Sequence, residues 1–121
     1  MSYANEEIEV LKHDDFCKEK LHFEGLCIDK YKRIVVRDEN EIELTYTEFE
    51  ILLLLAQNAG IVFSKEQIYE AVFGYDGTAD DTAVTQHIKN IRAKLRTAGV
   101  AAPETVLKTI WGVGYQWKSE T

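Results

Sequence analysis

The sequence predicts an α+β fold with an N-terminal antiparallel sheet of three to four short strands, a core of three helices and a C-terminal β-hairpin. Three features predict it. Short apolar segments alternate with polar turns over residues 21–44. Two helices with capping signals follow, and a third, at residues 80–96, carries a single apolar stripe. The last segment, residues 106–118, alternates around two glycines as hairpin strands do.

At 121 residues, with 45% hydrophobic and 29% charged residues, the chain is long enough for one globular domain. We assign residues 21–118 to this domain, residues 1–20 to a polar leader that serves as an arm or a dimerisation segment, and residues 119–121 to a tail. No apolar run approaches the ~20 residues that span a membrane, and the N-terminus has no signal-like core. We therefore expect a cytoplasmic protein that does not act on membranes.

The net charge of −7 is unevenly distributed along the chain. Residues 1–81 carry a net charge of −11, whereas residues 82–118 carry +5. Phosphates respond to the local field as well as to the sum, so the basic C-terminal third keeps nucleic-acid binding plausible. The acidic body should weaken nonspecific affinity compared with a uniformly basic domain.

Three strand-like segments are predicted at residues 21–28, 33–37 and 41–44. Polar residues separate them, and the short spacing indicates an antiparallel meander with one face covered.

Two capping boxes mark the first two helices. Thr45 with Glu48 begins a helix through about Asn58 that is apolar on nearly every side, which indicates burial between layers. Ser64 with Gln67 begins the second helix after a brief extended link.

The helix at 80–96 has the most informative pattern. Its apolar residues are spaced four, three and four apart, which places them on one stripe; they are Val84, Ile88, Ile91 and Leu95. The opposite face carries Gln86, Lys89 and Asn90, and no acidic residue occurs between Thr82 and Arg96. A helix with an apolar back and a basic, amide-bearing front suits the DNA major groove.

After this helix, residues 98–104 are predicted to form a loop, and residues 106–118 a hairpin in which Gly112 and Gly114 supply positive φ angles. Helix, short link, helix, acidic loop, basic helix and hairpin together describe a winged helix-turn-helix.

This order, with a sheet in front, closely resembles the OmpR/PhoB-type DNA-binding domain at the C-terminus of many bacterial two-component response regulators. The resemblance covers about residues 21–118. Four stretches carry it: LTYTEFEIL (44–52), FSKEQI (63–68), VTQHIKNIRAKL (84–95) and KTIWGVGY (108–115). The resemblance implies a transcription regulator that places helix 80–96 in the major groove, uses the hairpin as a wing, and binds direct repeats as weak head-to-tail dimers.

The resemblance also assigns residues. The base-reading candidates are Thr85, Gln86, Lys89 and Asn90. The candidates that hold or brace the DNA backbone are Thr82, His87, Arg92, Lys94, Lys108, Thr109 and Tyr115. The wing candidates are Trp111, Gly112 and Gly114. The acidic loop, with Tyr75, Asp76 and Asp80, is either a plain connector or a contact to RNA polymerase.

Three departures from the family matter. The family often has arginine at the positions of Thr82 and Asn90, so we expect an unusual recognition sequence. At Trp111 the family often has an arginine that enters the minor groove; a tryptophan there is limited to stacking, packing or one indole N–H bond. Response regulators carry a receiver domain before this one, and residues 1–20 cannot hold it. We favour a stand-alone regulator without phosphorylation control, with a fragment of a longer regulator as the alternative.

Other interpretations remain open at this stage. The basic face is either a DNA-binding surface or a solvated face of a winged-helix module that binds RNA polymerase or another regulator through its acidic body. His87 suits a partly buried structural histidine as well as a phosphate ligand. The metal-ligand types His13, Cys17, His22 and Cys27 do not match a known zinc knuckle, so we expect neither a metal nor a cofactor. No arrangement of nucleophile and base predicts an enzyme.

Overall fold

The computed structural model describes residues 21–23, 25–74 and 81–119. In chain order the elements are β1 (Leu21–Phe23), β2 (Leu26–Asp29), β3 (Ile34–Arg37), β4 (Asn40–Ile42), α1 (Tyr46–Ala56), β5 (Val62–Phe63), α2 (Lys65–Phe73), α3 (Thr82–Thr97), α4 (Pro103–Val106), β6 (Leu107–Ile110) and β7 (Gly114–Trp117). The predicted leader at 1–20, and the loop residues Tyr75, Asp76 and Asp80, lie outside the described residues.

The N-terminal sheet is an antiparallel meander in the order β1-β2-β3-β4. Ile28 pairs with Val35 and Val35 with Ile42, and all three side chains are buried, so one face of the sheet is covered as predicted. The prediction of one strand over 21–28 is wrong. The chain turns at Gly25, which has a φ of +88° that glycine adopts without strain, and β1 pairs with β2 in antiparallel orientation.

Both predicted capping boxes are confirmed. Thr45 Oγ1 accepts the Glu48 N–H at 3.1 Å, and the Thr45 N–H donates to Glu48 Oε1 at 3.0 Å. The same reciprocal pair joins Ser64 and Gln67 at the start of α2. Helix α1 ends at Ala56, two residues before the predicted end, because the backbone turns through residues 57–60.

The loop predicted at 98–104 needs correction, because the short helix α4 begins within it at Pro103. Proline suits the first turn of a helix, where its missing N–H has no intrahelical partner. The hairpin therefore begins at Leu107. The link at 61–63 is also more than a connector: β5 pairs with β7, which gives a three-stranded sheet in the order β5-β7-β6.

The core lies where the four-stranded sheet, the three longer helices and β7 meet. Helix α1 packs against both α2 and α3, and its Ile51, Leu52 and Leu55 are fully buried. The stripe of α3 faces this core, with Val84, Ile88, Ile91 and Leu95 each at most 1% exposed. Among the described helices, none combines the length and hydropathy that crossing a membrane requires.

Candidate nucleic-acid interface

The surface of α3 opposite its buried stripe presents polar side chains. Thr85, Gln86 and Lys89 are exposed and Asn90 is half-buried. Gln86 Nε2 donates to Asn90 Oδ1 at 3.0 Å, a pairing expected one helical turn apart. This bond does not use the side-chain amide oxygen of Gln86 or the side-chain N–H groups of Asn90. The structure thus brings together the four residues predicted to read bases.

Arg92 ties the helix to the hairpin. Its Nε and Nη2 donate to the Leu107 carbonyl oxygen at 3.0 and 2.6 Å, and Nη2 also donates to Thr109 Oγ1 at 2.8 Å. Burial lowers the pKa of the guanidinium, which nevertheless stays charged at neutral pH. A planar fork that bonds β6 at two residues fixes the spacing between α3 and the hairpin.

A second link joins the hairpin to the start of α3. The Tyr115 hydroxyl donates to Thr85 Oγ1 at 3.4 Å, and the Arg92 guanidinium lies 5.9 Å from the centre of the Tyr115 ring. The Tyr115 ring is otherwise buried, as is Trp117. Three residues predicted to hold or brace DNA, Arg92, Thr109 and Tyr115, therefore form one network within the protein.

Lys94 lies on a different side of α3. Its Nζ is 2.6 Å from Oε1 of Glu48, which is only 3% exposed at the start of α1. Burial alone would raise the pKa of Glu48, but the Lys94 hydrogen bond, the Thr45 N–H and the charges of Lys94 and His87 together lower it. The pair holds α3 against α1, so Lys94 has a structural partner in addition to its predicted phosphate.

This pair predicts a pH-dependent stability. Because the pKa of Glu48 is lowered in the folded state, its stabilisation is present above the unfolded-state pKa and is lost as pH falls through the folded-state pKa. We expect Glu48→Gln to lower the unfolding free energy by about 1–3 kcal/mol at pH 7, and by progressively less below pH ~4.5. Urea unfolding of both proteins at pH 7 and below pH ~4.5 measures the difference in unfolding free energy. Glu70→Gln, at an exposed position of α2, is the control, and a pH-independent loss would contradict the prediction.

His87 is half-buried and stacks on Phe73, with ring centres 6.5 Å apart. Its Nδ1 is buried without a hydrogen-bond partner among the described residues. Thr82 is exposed at the start of α3, and Lys108 is exposed on β6. Both are therefore accessible to solvent.

The two hairpin glycines serve different purposes. Gly112 has the predicted positive φ, +81°, at the hairpin turn. Gly114 is not in that region; a Cβ there would collide with the Phe63 carbonyl oxygen of β5. Glycine at 114 thus permits a close backbone approach between β5 and β7.

A cleft of about 620 Å³ separates the hairpin from the first turns of α2 and α3. Thr85, Arg92, Thr109 and Tyr115 line it, together with Trp111 and Lys65. Lys65 lines the cleft although the sequence-based assignment did not name it, since its position directly after the Ser64 cap was the only signal. Two carboxylates, those of Glu66 and Asp81, line the same cleft.

Comparison with known proteins identifies the family of this fold. The family described as "Transcriptional regulatory protein, C terminal" matches residues 39–117. The chain belongs to this family. It is the OmpR/PhoB-type DNA-binding domain found in bacterial response regulators, and its winged-helix fold agrees with the prediction.

Among the described residues, no group of three or more His, Cys, Asp and Glu could hold a metal ion; His13 and Cys17 lie outside them.

Individual relatives support the assignment. The chain is 49% identical over 82 residues to the regulatory protein VanRB of Enterococcus faecalis. The matched stretch covers 68% of this chain and 34% of VanRB. The DNA-binding domain of CpxR from E. coli is 35% identical with a TM-score of 0.70, covering 84% of this chain and 98% of that one. The Klebsiella pneumoniae RstA DNA-binding domain, solved in complex with the RstA box, is 26% identical with a TM-score of 0.69, covering 83% and 97%. The OmpR/PhoB-type domain thus spans well under half the length of its full-length relative VanRB.

Proposed function

We propose that this OmpR/PhoB-type domain regulates transcription by binding a specific duplex DNA sequence, with α3 in the major groove and the β6–β7 hairpin as a wing. The observation that carries the proposal is the exposed face of α3, where the Gln86–Asn90 amide pair lies beside Thr85 and Lys89. The RstA DNA-binding domain, which has a similar fold and was solved in complex with the RstA box, supports the proposal that this domain binds DNA.

The amide pair favours adenine. In the major groove adenine presents one acceptor, N7, and one donor group, the N6 amine. The bond from Gln86 Nε2 to Asn90 Oδ1 leaves an amide oxygen and an amide N–H, which complement those two groups. Lys89, one residue away on the same face, suits the acceptors of a neighbouring guanine.

The placement of the charged residues favours a DNA affinity that depends only modestly on salt concentration. Of the four cations in α3, three bond within the described part of the chain: Arg92 to β6, Lys94 to Glu48 and Arg96 to Glu104. Lys89 is exposed and faces a base edge in this proposal, which leaves the exposed Lys108 of β6 and the half-buried Lys65 of α2 for phosphates. Each phosphate neutralised contributes roughly −0.9 to the slope of log K against log salt, so a domain with few such contacts should give a shallow slope.

Pairing on direct repeats compensates for weak single-site binding. Two domains on adjacent half-sites gain affinity together, and we propose weak head-to-tail self-association that DNA strengthens. Contact with RNA polymerase through the loop containing Tyr75, Asp76 and Asp80 belongs to the same proposal, and these residues lie outside the described part of the structure.

Selection of duplexes from a random pool, followed by fluorescence anisotropy, tests the proposal. We expect Gln86→Ala and Asn90→Ala each to lower affinity for the selected duplex about 5- to 100-fold. Affinity for a scrambled duplex should change little. Gln57→Ala, an exposed amide at the end of α1, is the matched control. Failure to select any sequence, or equal loss on both duplexes, would contradict sequence-specific reading.

A second candidate is a protein-interaction module that uses the acidic body. The exposed acidic residues Glu39, Glu41 and Glu43 on and beside β4, an edge strand, favour it. If no duplex is selected and the protein is not retained on heparin, while a β4 charge-reversal variant loses a captured regulator or polymerase subunit, this second function is the correct one.

A further inference from the structure

The tip of the β6–β7 hairpin is apolar and exposed. The Trp111 side chain is 90% exposed and Val113 is 56% exposed. Between Lys108 and Lys118 the sequence contains no charged residue at all. An indole held almost entirely in water, on a hairpin tip that cannot offer a cation, indicates a surface that is covered when a partner binds.

The tip is also held in a defined position. The Val113 N–H donates to the Ile110 carbonyl oxygen at 2.9 Å and closes the turn; apart from the two chain neighbours of Gly112, no atom of the described residues lies within 4 Å of the position a Cβ would take on Gly112. At the base of the hairpin, the Arg92 fork fixes β6 to α3. Trp111 is therefore unobstructed and keeps a fixed offset from the exposed face of α3.

We propose that Trp111, supported by Val113, acts as an apolar wedge that enters the minor groove and partly unstacks a base step. This inference rests on the proposed function and specifies what the wing reads. Phosphates present charge, which this tip cannot neutralise, whereas sugars and base faces present flat apolar surfaces that an indole can cover. A wedge recognises how readily a step opens, so the wing selects flexible pyrimidine–purine steps next to the bases contacted by α3.

The two tryptophans of the chain make the contact measurable. Trp111 is 90% exposed and Trp117 is 2% exposed, so the difference between wild type and Trp111→Phe isolates the wing indole. When the protein binds the duplex selected by the wild-type chain, we expect the fluorescence emission of Trp111 to be quenched. The Trp111 indole should also become inaccessible to the quencher acrylamide. The residual Trp117 emission of Trp111→Phe should change little. An indole that stays as accessible as in the unbound protein, with the duplex saturated, would overturn the wedge.

Substitutions separate an apolar contact from an electrostatic one. We expect Trp111→Ala to weaken binding of the selected duplex about 5- to 100-fold with an unchanged salt slope, and Trp111→Phe to retain most of the affinity. Trp111→Arg should recover affinity while steepening the slope by about 0.9. Energy transfer between dyes at the duplex ends should show a bend of roughly 20–90° with wild type and a straighter duplex with Trp111→Ala. Equal melting temperatures confirm that the exposed position leaves the fold intact.

The outcomes distinguish this inference from the proposed function. If the wild-type chain selects no duplex, both fail. If wild type and Trp111→Ala bind the selected duplex equally, the wedge fails and the proposed function stands. If Trp111→Ala binds one half-site normally but loses cooperativity on two, the tip contacts a second copy of the chain, and the wedge is overturned in favour of a protein contact.

Discussion

Replacing Gly114 with alanine should lower the unfolding free energy by about 3 kcal/mol or more, which is a large part of the stability of a small domain. The added Cβ meets the carbonyl group of Phe63 and the Cα of Ser64, which are backbone atoms and cannot swing aside. Both belong to the link between β5 and the capped start of α2, so relief requires β5 to separate from β7. Urea unfolding measures the loss.

Gly112→Ala is the matched control for this prediction. It lies in the same hairpin, two residues away, with a φ of +81°, and apart from its two chain neighbours no atom of the described residues lies within 4 Å of the site its methyl group would occupy. Only backbone strain opposes the substitution, so we expect a loss of about 1 kcal/mol. Equal losses at both positions would mean that the β5–β7 approach does not require glycine.

The elements set by neighbouring residues could be predicted from the sequence. Both capping boxes join residues three apart, and the stripe of α3 depends only on helical periodicity, so Thr45, Ser64 and Ile88 take their predicted places. The predictions were less accurate where the chain must reverse without a two-residue turn signal. Gly25 breaks the first strand, and Pro103 begins a helix within a predicted loop.

The parts of the site that could not be predicted depend on contacts between distant residues. The bond from Lys94 to Glu48 spans 46 positions, and that from Arg92 to Leu107 spans 15. A helical pattern places such cations on a face, but it does not show which carbonyl or carboxylate lies opposite. The sequence pattern also does not predict that Trp111 is exposed, because an aromatic residue in a predicted strand is as consistent with the core as with the surface.

The Arg92 fork leads to the second large effect. We expect Arg92→Met to lower the unfolding free energy by about 2 kcal/mol, because three charge-assisted donations to β6 are lost. Affinity for the selected duplex should fall about tenfold, since α3 and the wing no longer keep a fixed spacing. Arg92→Lys keeps the charge but not the planar fork, and should restore only part of either loss.

The salt slope decides whether Arg92 acts by bracing the protein or by holding a phosphate. Lys108→Met is the control, since Lys108 is an exposed cation on β6 and a candidate for a phosphate contact. It should reduce the slope of log K against log salt by about 0.9 while leaving urea stability unchanged. Arg92→Met should show the reverse, with lost stability and an unchanged slope. If it instead reduces the slope as Lys108→Met does and keeps full stability, Arg92 acts mainly on DNA, because a guanidinium that bonds only to β6 releases no counterions.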